Sequence, residues 1–167
     1  MRAAAALSPD LARARAAIGA VTDPEIPVLT LDDLGVIRGI RQDDEGRIEV
    51  TITPTYSGCP AMAAMALDLE SALVAAGFAD ARIRTTLSPA WTTDWMTEAG
   101  REKLRAYGIA PPERATRRAL FGEETKPACP HCGSHVTAKV SEFGSTACKS
   151  LWRCETCLEP FDAFKCI

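Results

Sequence analysis

Histidine is scarce in this chain: two among 167 residues, at positions 131 and 135. A cysteine hydrolase working from residues 1–130 would therefore lack the imidazole base that activates its thiol. No Glu-x-x-His pair occurs, so the ligand pattern of a bundle-type di-iron carboxylate site is missing. No Gly-x-Gly-x-x-Gly occurs either, which removes the usual dinucleotide fingerprint. No apolar run approaches the roughly 20 residues needed to span a bilayer. Residues Met1 to Leu7 pass straight into Ser8-Pro9-Asp10, so no signal peptide is expected. Charge lacks bias as well: 19 basic residues against 22 acidic ones, with a net charge of −3, give no pull toward nucleic acid or anionic membranes. Neither an internal repeat nor a low-complexity tract is present.

What the chain does have is cysteine. Seven of them, as two CxxC pairs and three single residues, make a poor disulfide framework. In a reducing compartment the same set reads as metal ligands plus free thiols, which places the protein in the cytoplasm. An apolar fraction of 47% and a charged fraction of 25% are those of a soluble globular protein.

The expected fold class is α+β. Ser8-Pro9-Asp10 supplies an N-cap, a proline at the first helical position and an early carboxylate. The helix runs to about Val21, where Asp23-Pro24-Glu25-Ile26-Pro27 must stop it. Gly35 to Arg41 and Arg47 to Pro54 read as strands around the turn Asp43-Asp44-Glu45-Gly46. A second helix follows Gly58-Cys59-Pro60, with Met62, Met65, Leu69, Leu73 and Ala76 on one face. Ala81 to Leu87 alternates as a third strand, with Leu87 inward. Thr93 is the expected cap of a last helix whose face is Met96, Gly100, Leu104 and Tyr107. The result is an α-β-β-α-β-α unit over residues 1–110, a linker over 111–126 carrying Arg117, Arg118, Glu123 and Glu124, and a cysteine-rich module over 127–167. Trp91, Trp95 and Trp152 are read as core or hinge packing, with a docking surface as the alternative.

Cys129-x-x-Cys132 and Cys154-x-x-Cys157 have the form of a zinc ribbon, although 21 residues separate the pairs, at the upper edge of the usual spacing. Two knuckles can close a tetrahedron of thiolates at about 2.3 Å per bond. A segment this short needs such a staple, and structural zinc in finger peptides contributes about 10–16 kcal/mol of apparent binding energy. Val136, Ala138 and Val140, and Lys149, Leu151 and Arg153 against Ser150 and Trp152, are the expected ribbon strands. Two complete pairs leave no need for His131 or His135 as ligands. Cys148 and Cys166 lie outside the knuckles, and two readings stay open: small buried or free thiols, or helpers that hold a second, labile metal or cluster. The module is nearly neutral, against a nucleic-acid role.

Cys59 falls where a strand turns into a helix, with Pro60 fitting the first helical position. Its expected place is the N-cap, where unpaired amides would draw the thiol below its free pKa of about 8.5. Such a sulfur suits transient ligation, thiol exchange or nucleophilic attack; a plain capping residue is the bland alternative. Asp23 and Glu25 are either a turn or a functional carboxylate pair.

Asp23-Pro24-Glu25-Ile26-Pro27, Asp33-Leu34-Gly35-Val36-Ile37 and Gly58-Cys59-Pro60 resemble the SufT-like family of iron–sulfur assembly domains. With Phe143-Gly144-Ser145-Thr146-Ala147-Cys148-Lys149 and Glu159-Pro160-Phe161-Asp162 around the ribbon, the whole chain is similar to the D-subunit family of phenylacetyl-CoA epoxidase systems. The resemblance implies an accessory role in aerobic phenylacetate degradation rather than catalysis by this chain itself. Cys59, Asp23 and Glu25 are then cluster-transfer candidates handling a transient iron–sulfur cluster, and zinc is structural at Cys129, Cys132, Cys154 and Cys157. The implied partners are the epoxidase components, foremost the reductase carrying flavin and a [2Fe–2S] cluster. A non-catalytic adaptor role is the alternative, and self-association as a homodimer is left open.

Overall fold

The computed structural model describes residues 8–114 and 126–165. Met1 to Leu7, the linker charges Arg117, Arg118, Glu123 and Glu124, and Cys166 lie outside the described residues.

The first helix, α1, spans Pro9–Gly19, and the Ser8 hydroxyl accepts from the Leu11 amide as the sequence suggests. It ends shortly before the expected Val21, and Ala14 and Ile18 turn into the core. Strands β1 (Ile37–Gln42) and β2 (Ile48–Ile52) pair antiparallel. The Asp43 carboxylate closes their turn by accepting from the Glu45 and Arg47 amides. Helix α2, Met62–Ala75, buries Met65, Leu69 and Leu73, and carries the chain across to β3 (Arg82–Thr85), which lies parallel to β2. Leu87 falls beyond the end of β3 and is exposed, contrary to its expected inward place.

Thr93 does not cap the last long helix. It is wholly buried within a 3₁₀ turn (Thr93–Trp95), and its hydroxyl donates to the Glu113 carbonyl. Thr97 caps α3 (Glu98–Ala106) instead, accepting from the Gly100 amide at 2.9 Å. The start is displaced because the chain before it is pinned against the loop that follows α1. Gly35 sits there at φ +69°, with the Trp95 backbone where a β-carbon would be, and a β-carbon on Gly100 would come within 2.9 Å of the Asp33 carbonyl. Against the upward pull of burial, the Lys103 ammonium, 2.6 Å away, holds Asp33 below the usual carboxylate range. Tyr107, expected on the inner face of this helix, is exposed.

A second sheet has the order β4-β7-β6-β5, built from Ile109–Ala110, Pro160–Phe164, Lys149–Cys154 and Thr137–Ser141. Its first strand comes directly after α3 and pairs parallel with its last. The cysteine-rich module is thus bonded through the backbone to the unit before it. Packing continues the joint: Phe164 and Cys148 belong to the core that holds α1, α2 and the first sheet, with Trp91 and Phe164 ring centroids 6.1 Å apart. The Trp91 indole donates to the Leu34 carbonyl at 2.8 Å, and Trp152 is buried in the smaller ribbon core, so both are packing residues. The Trp95 ring is covered by the Arg38 guanidinium at 3.4 Å. Val136 and Val140 do not form an inner ribbon face; both are exposed, and Thr137, Lys149, Ser150 and Trp152 are buried instead. No helix among the described residues is long and apolar enough to cross a membrane.

Candidate functional site

Cys59 lies on the turn between β2 and α2, as expected, but it is not the N-cap. Helix α2 begins at Met62 with Ala61 as its cap, and no side chain closes the end. The Ala61 and Met62 amides still pull the Cys59 thiol down. The thiol is nevertheless held above its ordinary range, first by burial, which the Ala61 amide opposes, and further by the negative charges of Glu25 and Asp23. The expected depressed pKa is overturned for that reason: the amides are present, but desolvation and two carboxylates outweigh them. Cys59 is half-buried, not sealed.

The Asp-Pro-Glu loop faces this turn. Asp23 is 5% exposed, and its Oδ1 accepts from the amides of Glu25 at 2.8 Å and Ile26 at 2.7 Å. The turn reading of Asp23 therefore holds in the geometry, and the same bonds fix where Glu25 stands. Burial raises the Asp23 carboxyl, while these two amides and the Lys149 charge pull it down. Glu25 is half-buried and reaches out of the loop.

Cys148 reaches the same place from the second sheet. Its thiol donates to Glu25 Oε2 at 3.8 Å, and Thr146 Oγ1 lies 3.0 Å from its sulfur. Burial holds this thiol up; Thr146 and Lys149 oppose, and Glu25 and Asp23 reinforce. The Tyr56 hydroxyl is raised by burial and by the fields of Cys59, Glu25 and Cys148. Cys59, Asp23 and Glu25 thus come together, and Cys148, Tyr56, Thr146 and Lys149 join them. Sequence reasoning gave no role to the last three. Their signals were position, with Tyr56 three residues before Cys59, and for Thr146 and Lys149 their place beside Cys148 in the stretch that carries the family resemblance.

The ribbon thiols form a separate cluster. Cys129, Cys132, Cys154 and Cys157 bring their sulfurs within 4.8 Å of one another. The Cys129–Cys157 and Cys132–Cys154 separations are 3.7 Å and 3.6 Å. A tetrahedron with metal–sulfur bonds of about 2.3 Å has edges of about 3.8 Å, so the residues present fit a metal ion. Amides prepare the set: that of Cys157, first, and that of Thr156 bring the Cys154 thiol down to about 6 against the cost of burial. The Glu159 amide draws on Cys157, but burial and the sulfurs of Cys154, Cys132 and Cys129 push it up to about 12. All four become thiolates together when a cation balances them. Neither histidine belongs to the cluster.

Two family profiles match the chain: one described as an iron–sulfur cluster assembly protein over residues 11–83, and one as the PaaD zinc beta ribbon domain over residues 113–165. The chain is 49% identical over 152 residues to an Escherichia coli K12 protein named as the D subunit of "Putative 1,2-phenylacetyl-CoA epoxidase", covering 91% of this chain and 90% of that one. It is 35% identical over 79 residues to the "Fe-S protein maturation auxiliary factor" of Porphyromonas gingivalis, covering 47% of this chain and 74% of that protein. Among solved structures it resembles a domain of unknown function, DUF59, from Bacillus anthracis. The TM-score is 0.53 at 22% identity, over 57% of this chain and 91% of that one, a likeness of fold alone.

Proposed function

Because this chain belongs to the PaaD family of phenylacetyl-CoA epoxidase D subunits, we propose that it is an accessory protein of phenylacetate degradation that helps to mature an iron–sulfur centre. Its client in this reading is the reductase of the epoxidase system, which carries flavin and a [2Fe–2S] cluster, and it acts in the cytoplasm. The observation that carries the reading is the setting of Cys59: a half-exposed thiol on a strand-to-helix turn, facing Glu25 and Asp23. Held protonated, such a sulfur binds iron only by giving up a proton, which favours loose, reversible ligation over permanent storage. Asp23 fixes the loop through its two amide bonds, and Glu25 supplies the charge beside the sulfur. Residues 1–110 would handle the cluster, 111–126 would connect, and 127–167 would recognise the client. In the ribbon the resident metal is zinc: four thiolates suit it, and the metal would supply fold stability there, not reactivity.

The test is Cys59→Ser in cells producing all epoxidase components. Iron and sulfide per reductase chain should fall several-fold while co-purification of this chain with the other components stays unchanged. Full cluster occupancy in that variant would leave a non-catalytic adaptor role as the function.

A further inference from the structure

The Asp-Pro-Glu loop and Cys59 come from the first unit, yet the thiol that donates to the Glu25 carboxylate comes from the second. Cys148 is 6% exposed, and its sulfur does not sit in hydrocarbon alone, since it has Glu25 Oε2 on one side and Thr146 Oγ1 on the other. A cysteine that only fills space has no need of a half-buried carboxylate, which loses solvation there with little in return. Cys59 and Cys148 both lie in the fields of Glu25 and Asp23, and Tyr56 feels Cys59, Glu25 and Cys148 together. Three segments that are distant in sequence therefore converge at the joint, where Trp91 and Phe164 supply apolar packing.

We propose that Cys148 is the second protein thiol of a composite iron–sulfur site spanning the joint, with Cys59 as its more exposed partner and Glu25 as the carboxylate that orients the Cys148 thiol. The identity of the guest rests on the maturation reading above; the composite site is new. These groups do not close on a single ion, because among the described residues the ribbon thiols are the one set of three or more ligands within 4.8 Å of one another. A cluster, which takes its thiolate ligands at more than one iron, is the chemistry that suits a set too open to close on one ion. Loading is a ligand exchange without electron transfer. Each protein S–H bond breaks and an iron–sulfur bond forms, while a small thiolate leaves the iron and takes up the proton. For Cys148 the departing thiolate takes the proton that the thiol now directs at Glu25. The Thr146 hydroxyl and the Lys149 ammonium then stabilise the ionised sulfur, as both already do in opposing its raised pKa. The ribbon's role is thereby extended: its second sheet presents a ligand.

The experiment is an anaerobic titration of the full-length, zinc-loaded chain with a preformed [2Fe–2S] cluster ligated by glutathione. Readouts are iron and sulfide retained after desalting and visible circular dichroism. The wild type should retain cluster. Cys59→Ser and Cys148→Ser should each reduce the retained amount at least about tenfold, the scale on which even outer-shell changes act. Zinc per chain and the far-ultraviolet spectrum should not change. Cys148→Ala, matched to the buried setting, guards against a fault of the serine variant, and Thr146→Val should weaken retention to a smaller degree. Wild-type retention by either folded Cys148 variant would overturn the composite site, and so would failure of the wild type to retain cluster. Loss in Cys59→Ser alone leaves the maturation reading standing without Cys148. Loss in both, with full reductase clusters in cells carrying Cys59→Ser, keeps the composite site and removes the maturation role.

Discussion

In the ribbon, four sulfurs lie within 4.8 Å of one another with amide hydrogens directed at them, whereas at the joint two thiols keep their protons beside Glu25 and Asp23. The element is the same and the surroundings differ. In the ribbon, amides bring Cys154 down while neighbouring sulfurs push Cys157 up, whereas at the joint burial first and then two carboxylates raise both thiols. A closed set of four repays deprotonation with four metal bonds, which suits a permanent staple. In the proposed function, an open pair flanked by negative charge would bind more weakly and release its guest. One chain would then hold one metal and pass a cluster because its cysteines are sorted by their neighbours, not by number.

The largest expected effect comes from opening the closed set. Cys154→Ala should abolish metal binding by the ribbon and with it a stabilisation on the order of the 10–16 kcal/mol seen for structural zinc in small peptides. Amide exchange should become fast over Thr137–Ser141 and Lys149–Cys154 and stay slow in β1, β2 and α2. A ribbon that keeps its protection without metal would make the knot as dispensable as a free thiol and end the contrast. The next effect loosens the joint. Phe164 is 4% exposed and packs on Trp91, so Phe164→Ala should cost about 3–5 kcal/mol in urea denaturation. Alkylation of Cys148, 6% exposed in the same core, should then accelerate more than that of the already half-exposed Cys59.

How much of this the sequence carried follows from the range of each interaction. Local chemistry was legible: Ser8 caps α1, Asp43 closes the hairpin, and the two CxxC pairs meet. Each depends on residues a few positions apart, or on a spacing that the ligand demands. What failed was set by contacts from afar. Thr93 has the chemistry of a cap, but the approach of Trp95 to Gly35 and of α3 to Asp33 moves that role to Thr97. Cys59 occupies the anticipated turn, yet the carboxylates that raise its pKa lie more than thirty residues earlier in the chain. The meeting of Cys148 with Glu25 spans 123 positions and depends on β7 pairing with β4, a strand of two residues that no periodicity could reveal. Val136 and Val140 alternate as a buried face should and still point outward, because Trp152 and Phe161 on the neighbouring strands fill the small core.

The smallest effect concerns protons. Burial first, then Glu25 and Asp23, keep Cys59 protonated past the pH at which a free cysteine ionises, about 8.5. The folded chain therefore binds more protons than the unfolded one once pH rises beyond that point, and its stability falls as pH climbs toward the folded pKa. Cys148 acts with the same sign. Glu25→Gln removes one of the charges that raise both thiols. It should flatten the loss of stability as pH rises above about 8.5, measured by urea denaturation with zinc in excess. At neutral pH it should speed alkylation of Cys59 by less than about tenfold, the change that a full pKa unit would give. An unchanged alkylation rate would mean that desolvation and Asp23 set this thiol without Glu25, and that Glu25 is placed to accept from Cys148 and not for the charge on Cys59.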